Sequence, residues 1–169
     1  LQDHGVWPRA MGLTAWGTSN MRTGGDDIAQ ALALLGVKPK WDTASWRVTG
    51  FEITPLAELG RPRVDVTLRI SGFFRDAFPA QIALFDSAVQ AVAALDEEEA
   101  ENPLVEAAST LRVFGSKPGA YGAGLQALID EKIWETRADL ADAYIEWGGY
   151  AYGAKMKGEA SHHAFKERL

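Results

Sequence analysis

The clearest periodic pattern in the chain lies between residues 63 and 70, where apolar and polar side chains alternate. Val64, Val66, Leu68 and Ile70 are apolar, and polar residues occupy the positions between them. Successive side chains of a β-strand point to opposite faces of the sheet. This period of two therefore predicts a strand with one buried face and one polar face.

Two other segments are predicted to be strands of the same sheet. Residues 10–16 are mostly apolar, which is consistent with a short strand buried on both faces. Residues 47–53 have a strand-like composition, although Gly50 weakens the prediction because glycine has no side chain to pack.

Helical periodicity follows two of these strands. Apolar residues at helical spacing predict a helix over 26–35, which Gly36 ends. Pro79 suits the first turn of a second, longer helix, and its apolar stripe consists of Ile82, Phe85, Val89 and Val92. Between the first strand and the first helix, residues 17–25 are polar and rich in glycine, so we expect a loop there.

The second half of the chain has a different character. Phe114–Gly124 is rich in glycine and is predicted to be a loop, and Thr136 with Asp139 forms a capping-box variant at the start of a third helix. The acidic run Asp96–Glu101 is interpreted as a solvated linker between the two halves. We therefore predict an α/β fold, with a short, mostly parallel sheet and flanking helices, plus a helical C-terminal part. The corresponding division is an α/β region over 1–101, a helical region with the glycine-rich loop over 102–154, and a polar tail or frayed helix over 155–169.

Composition excludes several classes of protein. Hydrophobic residues make up 47% and charged residues 24%, which is typical of a soluble domain with a real core. The absence of cysteine excludes disulfides and thiolate metal sites. No apolar run is long enough for a transmembrane helix and no signal peptide is visible, so we expect a cytoplasmic protein without a membrane partner. The net charge of −6 argues against nucleic acid as a partner. The chain begins with Leu1 and not with Met, which suggests a fragment of a longer protein.

Charged side chains follow the predicted strands 10–16 and 63–70. If these strands are parallel neighbours, their following loops meet at one edge of the sheet, where open α/β sheets bind ligands. Arginine pairs bidentately with carboxylates, so this edge would suit a ligand with several carboxylates. The predicted substrate-binding residues are Thr18, Asn20, Arg22, Asp26, Asp27, Arg69, Ser71, Arg75 and Asp76.

Structural roles are the alternative for the charged members of this set. Asp26 or Asp27 would serve simply to cap the helix that follows, where hydrogen bonding and the helix dipole favour a carboxylate. Arg75 and Asp76 would form a structural ion pair.

Three other features of the sequence give weaker evidence for a binding site. The glycine loop 115–124 lacks both a P-loop and a G-x-G-x-x-G pattern, so nucleotide binding there is not expected. The histidines His4, His162 and His163 lack the i, i+4 spacing of metal ligands and are expected on the surface. Most of the six tryptophans are expected to pack in the core or between domains, but Trp16 lies at a strand end beside the first loop and could stack on a flat ring.

Two of these segments resemble a known family. The sequences GTSNMRTGGDDIAQALALLG and RISGFFRD resemble the C-terminal part of the large subunit of ATP-dependent tetrapyrrole metal chelatases. The pattern is more similar to CobN-type cobaltochelatase than to the related magnesium chelatase of the H type. The resemblance extends from about Trp7 to Gly153 and is sharpest in Leu13–Asp27, Phe51–Pro79 and Phe114–Gly122.

The resemblance implies a function that the residues alone do not. Residues 1–101 would be the Rossmann-like region of a subunit that binds a tetrapyrrole, hydrogenobyrinic acid a,c-diamide, while Co²⁺ is inserted during cobalamin biosynthesis. Separate AAA+ subunits would hydrolyse ATP with Mg²⁺, which agrees with the missing P-loop. Arg22, Arg69 and Arg75 would help to hold the ring. The family's His-Gly-x-x-Glu element is absent, so the fragment is expected to bind no cofactor itself and to be inactive alone, as one part of a ligase-type metal chelatase.

Three alternatives remain open at this stage. The chain could belong to an H-type subunit that inserts Mg²⁺ into protoporphyrin IX. It could be a non-catalytic docking module for the AAA+ partners, with Asp96–Glu101 as the contact. Outside the family, a small enzyme could hold a phosphorylated metabolite on the loop Gly17–Asp27, although the two aspartates there would repel phosphate.

Overall fold

The computed structural model describes residues 5–169. In chain order its elements are β1 (Ala10–Ala15), α1 (Gly17–Thr23), α2 (Asp26–Leu35), β2 (Val37–Asp42), β3 (Arg47–Ile53), α3 (Leu56–Leu59), β4 (Asp65–Ile70), α4 (Gly72–Ala77), α5 (Pro79–Ala93), β5 (Val113–Gly115), α6 (Gln126–Glu131), α7 (Arg137–Gly148), β6 (Tyr150–Tyr152), β7 (Lys157–Ala160) and α8 (His162–Lys166).

A five-stranded sheet in the order β1-β4-β5-β6-β7 organises the fold. The pairs β1–β4 and β4–β5 are parallel, and β6 and β7 continue the sheet with antiparallel pairing. The predicted α/β fold class with flanking helices is confirmed, as is the parallel pairing of the first strand with the strand at 63–70. Strands β5, β6 and β7 lie beyond residue 101, so the sheet continues into the region for which helices were expected.

Helices α2 and α5 cover one face of the sheet and form the main core. Val66, Leu68 and Ile70 of β4 are fully buried there, together with Leu32 and Phe85. Both helices have the predicted apolar stripe. α2 has the predicted bounds, with Gly36 in a left-handed conformation after it, and α5 has the predicted start, with Pro79 in its first turn.

The sequence predicts a polar face of β4 opposite its buried face, and the structure buries this polar face as well. Asp65 and Thr67 are buried on this face. Asp65 accepts hydrogen bonds from the buried Arg112 at 2.6 and 3.0 Å and forms a second ion pair with Arg168 at 2.7 Å. The alternation in the sequence is correct, but partners from distant parts of the chain cover the polar positions.

Residues 155–169 were expected to form a frayed helix or a polar tail; they contain the helix α8 and also the strand β7, which was not expected. Phe165 of α8 is buried and stacks on Phe114 with 5.0 Å between the ring centres. One phenylalanine in a mostly polar segment is a weak sequence signal, but here it completes a small second core.

The acidic run Asp96–Glu101 is not simply a solvated linker. Glu97 holds Arg63 with two hydrogen bonds of 2.7 and 2.8 Å, and the Arg63 side chain is completely buried. Asn102, directly after the run, is also fully buried and donates to the Val92 carbonyl at the end of α5. The run therefore fastens the end of α5 to the start of β4.

Two strand predictions change in detail. β1 is an edge strand and not a strand buried on both faces, because residues 10, 12 and 14 are exposed. β3 is present as expected, but it pairs with a strand that the sequence did not predict, β2, in a separate two-stranded sheet. Pro39 lies within β2. Because proline is unusual inside strands and common after a helix end, the sequence did not indicate a strand there.

Candidate functional site

The parallel strands β1, β4 and β5 end at the same edge of the sheet. Ser71, the residue after β4, connects the first two strand ends through its hydroxyl oxygen. This oxygen accepts hydrogen bonds from the backbone N–H of Gly17 at 3.2 Å and of Phe74 at 3.1 Å. Ser71 therefore caps α4 and holds the start of α1 beside it.

The predicted loop 17–25 is mostly helix. α1 begins directly after Trp16 and ends at Gly24, which has the left-handed conformation that glycine adopts without strain. Of the predicted ligand residues on this helix, Thr18 and Arg22 are exposed and Asn20 is buried. Thr18 and Arg22 are four residues apart and share the exposed face of the helix, whereas Asn20 points inward, so the three side chains do not form one cluster.

The buried Asn20 and the half-buried Gln81 lie beside Gly25. Within residues 5–169, the side-chain amide of Asn20 has no hydrogen-bond partner for either polar atom, and neither has the Gln81 carbonyl oxygen. A Cβ built on Gly25 would lie 3.8 Å from Asn20 Oδ1 and 3.9 Å from Gln81 Nε2. Asn20 therefore faces the interior between helices, away from the open edge of the sheet.

Asp26 and Asp27 occupy the first turn of α2. The residue before the helix is Gly25, which has no side chain to cap it, and the Thr23 hydroxyl accepts a hydrogen bond from the Asp26 N–H at 3.2 Å. Neither aspartate is the capping residue, but both lie where the partial positive charge of a helix N-terminus favours carboxylates.

Arg75 and Asp76 have the geometry of the structural alternative. Arg75 is buried, binds both oxygens of the Asp76 carboxylate at 2.6 and 2.8 Å, and donates to the carbonyls of Ser116, Lys117 and Ala120. The hydrogen bond from Arg75 lowers the pKa of Asp76. Arg75 thus holds the glycine-rich loop against α4, and most of the N–H donors of its guanidinium are already engaged in these hydrogen bonds.

Tyr121 strengthens the same attachment. Its hydroxyl donates to Asp76 at 2.7 Å, and this hydrogen bond raises the pKa of Tyr121. Its ring lies against the Arg75 guanidinium at 5.3 Å and leaves no room for a side chain at Gly72.

Arg69 differs from these arginines. Its Nη1 donates to the Ile70 carbonyl at 2.5 Å, its buried Nε has no partner in the described chain, and its guanidinium lies 5.5 Å from the centre of the Tyr144 ring. Arg63, Arg75 and Arg112 all have a carboxylate partner. No carboxylate of residues 5–169 lies within 4.0 Å of Arg69.

Arg69 lines a cavity of about 160 Å³ at the ends of β1 and β4. Ser71, Tyr144 and the loop residues Gly122 and Ala123 form other parts of its wall, and the exposed ring of Trp16 lies at its side. Only Arg69 and Ser71 of the nine predicted residues line this cavity; Thr18, Asn20, Arg22, Asp26, Asp27, Arg75 and Asp76 do not.

The cavity has the chemistry of an anion site beside an aromatic surface. A half-buried guanidinium without a carboxylate is costly, and an incoming anion would compensate it through charge-assisted hydrogen bonds. Sites that enclose drug-sized ligands measure about 300 Å³ or more. The cavity therefore has room for one acidic substituent, and a large flat ring would remain outside, against Trp16.

Tyr144, Gly122 and Ala123 were missed as site residues. They reach the site because β5 ends beside β4 and because α7 packs over the same strand ends. The sequence signal is short: β5 consists of Val113-Phe114-Gly115, which overlaps the start of the predicted loop Phe114–Gly124, and three residues do not establish a strand period.

Neither a metal cluster nor a membrane span is found among the described residues. In residues 5–169 no three histidine, aspartate or glutamate side chains are grouped to hold a metal ion. None of the helices there has the length and apolar character needed to cross a membrane. His162 and His163 lie on α8, where His162 Nε2 is 2.9 Å from the Glu146 carbonyl oxygen, and His4 lies outside the described residues.

Comparison with known proteins gives consistent results. The family model described as CobN/Magnesium Chelatase matches residues 1–169. The chain is 65% identical to the aerobic cobaltochelatase subunit CobN of a Sinorhizobium species, over 100% of this chain and 15% of that protein. It is 36% identical to the H-type subunit of magnesium chelatase from Rhodobacter capsulatus, over 93% of this chain and 14% of that protein. The solved catalytic subunit of cobaltochelatase from Mycobacterium tuberculosis superposes with a TM-score of 0.93 at 51% identity, over 99% of this chain and 15% of that one. The chain thus spans about 15% of the length of these cobaltochelatase relatives.

Proposed function

The chain belongs to the CobN/magnesium chelatase family, and we propose that it forms part of the tetrapyrrole-binding wall of a cobaltochelatase large subunit. In this proposal the whole subunit inserts Co²⁺, as a substrate, into hydrogenobyrinic acid a,c-diamide during cobalamin biosynthesis in the cytoplasm. Separate AAA+ subunits hydrolyse ATP to drive this ligase-type reaction. The 65% identity to a cobaltochelatase subunit, against 36% to a magnesium-chelatase subunit, favours the cobalt reaction.

The observation that carries the proposal is the Arg69 guanidinium without a carboxylate partner among the described residues. It faces a cavity that admits one acidic group, and Trp16 beside the opening is 57% exposed. A corrinoid precursor carries several carboxylates around a large ring. One of them would bind Arg69, while the edge of the macrocycle rests against Trp16 and Tyr144.

Within this proposal, Arg69 and Ser71 contact the substrate, and Arg75 with Asp76 holds the loop that completes the cavity. Arg22 is exposed on α1 and does not line the cavity. We therefore assign it no contact with this carboxylate, although the sequence pattern placed it among the substrate-binding residues.

The test is a titration of the full-length subunit with hydrogenobyrinic acid a,c-diamide, followed by tryptophan fluorescence. A hydrogen bond to a charged group contributes about 1.5–3 kcal/mol, so Arg69→Ala should weaken binding by roughly 10- to 150-fold. Arg22→Ala is the matched control, because it removes the same charge near the same edge, and its affinity should not change. Equal affinities for Arg69→Ala and the parent subunit would exclude Arg69 from the site.

Protoporphyrin IX serves as the second ligand in the same titration. Tighter binding of the corrinoid supports the cobalt reaction, whereas tighter binding of protoporphyrin would favour the magnesium alternative. The docking-module hypothesis has less support, because Glu97 and Glu99 of the acidic run already form ion pairs within the domain.

A further inference from the structure

Strand β1 lies at one edge of the sheet and presents unpaired backbone groups. Its register with β4 runs without interruption from Ala10↔Asp65 to Ala15↔Ile70. At the two ends of this pair, the Arg9 carbonyl accepts from Asp65 N at 2.9 Å and the Ala15 carbonyl accepts from Ser71 N at 3.0 Å.

These two bonds identify which residues of β1 face β4. In a parallel ladder, alternate residues of a strand direct both their N–H and their C=O to the same neighbour. Residues 9, 11, 13 and 15 therefore face β4. Ala10, Gly12 and Thr14 direct their backbone groups to the opposite side, where β1 has no neighbouring strand within the described sheet.

Among the described residues, the free edge of β1 has none of the usual protection against strand pairing. Natural edge strands are blunted by charged side chains, proline or β-bulges. The sequence of β1 is Ala-Met-Gly-Leu-Thr-Ala, which contains no charge and no proline, and its pairing has no register shift. Gly12 has open space around it, since a Cβ built there would meet no atom of the described residues within 4 Å.

β7, at the opposite edge of the sheet, does have features that hinder pairing with a further strand. β7 carries Lys157 and Glu159, and Gly158 between them has a φ of +101°. The pairing of β7 with β6 is also irregular, with a register shift between Ala151 and Tyr152. One edge is therefore blunted and the other is flat and uncharged.

We propose that the free edge of β1 binds a further β-strand, supplied by the part of the full-length subunit that lies outside these 169 residues. Relatives at 65% identity are covered over only 15% of their length, so most of such a polypeptide is available to provide it. A tethered strand has a high effective concentration, which favours it over a strand from a separate protein. It would pair with the N–H and C=O groups of Ala10, Gly12 and Thr14.

The expected occupant is an uncharged strand, since it must lie beside the exposed small side chains of β1. This inference concerns backbone pairing along β1, whereas the tetrapyrrole proposal concerns the cavity at Arg69, which Thr14 of this edge also lines. Gly12 does not line the cavity, so protection of its amide reports on the added strand alone. The titration above and the exchange experiment below can therefore fail separately.

The test is amide hydrogen exchange in the full-length subunit, resolved to single residues of β1. If the strand is paired, the amides of Gly12 and Thr14 should exchange at least about 100-fold more slowly than unprotected amides, as those of Met11 and Leu13 do. Gly12→Pro should remove this protection at Thr14, because proline cannot donate to the added strand. Gly12→Ala is the control that keeps the N–H, and it should retain the protection.

Three results would overturn the proposal. Free exchange at Gly12 and Thr14 alongside protection at Met11 and Leu13 would show that the edge is unpaired. Protection that appears only as the subunit concentration rises would assign the strand to a second copy. Protection that appears only after other subunits are added would assign it to a partner protein.

Discussion

The ion pair between Glu97 and Arg63 provides a quantitative test of how the acidic run supports the fold. Arg63 is completely buried, whereas 14% of the Glu97 side chain is exposed. Besides Glu97, the guanidinium donates only to the carbonyls of Leu35, Gly36 and Thr54 among the described residues. Replacing Glu97 with alanine removes the only negative charge that compensates it in this part of the chain.

The structure sets the expected magnitude. Removing one partner of a buried ion pair costs about 3–5 kcal/mol, because the other charge stays buried. The partial exposure of Glu97 lets water reach the site, so we expect the lower value, about 3 kcal/mol. For a chain of this size, that corresponds to a fall of roughly 6–12 °C in Tm.

The effect should also depend on pH in a defined direction. Arg63 lowers the pKa of Glu97 below its ordinary value of 4.5, chiefly through the hydrogen bonds. A carboxylate with a lowered folded-state pKa stabilises the protein fully above its unfolded-state pKa, and this stabilisation is lost as the pH falls through the folded-state value. The difference between parent and Glu97→Ala should therefore be largest near neutral pH and should shrink below about pH 4.5.

Urea unfolding followed by tryptophan fluorescence measures both effects. Glu98→Ala is the matched control, because its exposed carboxylate makes no hydrogen bond or ion pair with the described residues. It should change the free energy of unfolding by no more than about 0.5 kcal/mol. If Glu97→Ala and Glu98→Ala unfold at the same urea concentration at pH 7, the argument from Arg63 burial is refuted.

Two further substitutions test other parts of the fold by the same urea assay. Gly72→Ala would place a Cβ 2.8 Å from the Ala120 carbonyl oxygen, so we expect a loss of about 1–3 kcal/mol, whereas Gly50→Ala meets no atom of the described residues within 4 Å and should be nearly neutral. Equal stability of the two variants would contradict the close packing of the glycine-rich loop on α4. Asp65→Asn leaves the buried Arg112 without its carboxylate and should cost about 3–5 kcal/mol; a loss below about 1 kcal/mol would show that this pair is not essential.

Local signals were sufficient for several elements of the fold. The capping box of Thr136 and Asp139 is present at the start of α7, and Pro79 opens α5 as expected. Each of these signals depends on residues within one or two helical turns, so the local sequence is sufficient to predict where the helix starts.

The errors have a common physical origin in distant contacts. Nothing near Asp65 in the sequence shows that Arg112 and Arg168 will cover it, because these partners arrive from the segment before β5 and from the C-terminal segment. β5 itself has three residues, too few for a strand period, and its identity depends on the strands at its sides.

The candidate site likewise contains residues with a local sequence signal and residues that only distant contacts bring there. Arg69 and Ser71 were predicted because they follow a strong strand pattern, and they line the cavity. Tyr144 was not predicted, because only the packing of α7 brings it over the guanidinium. The other predicted residues do not line this cavity: α1 is a helix that turns Asn20 inward and leaves Arg22 exposed.

The position of β4 in the sheet has a consequence for how the chain folds. β4 pairs with β1, which precedes it in the chain. Its Thr67 side chain also accepts a hydrogen bond from Arg168, which lies 101 positions later. Contacts of such high sequence separation slow folding, because much of the chain must be ordered before they form. During synthesis, the contacts of β4 would remain incomplete until α8 and Arg168 have emerged. We therefore expect a single late cooperative step and not a stable N-terminal half that folds first.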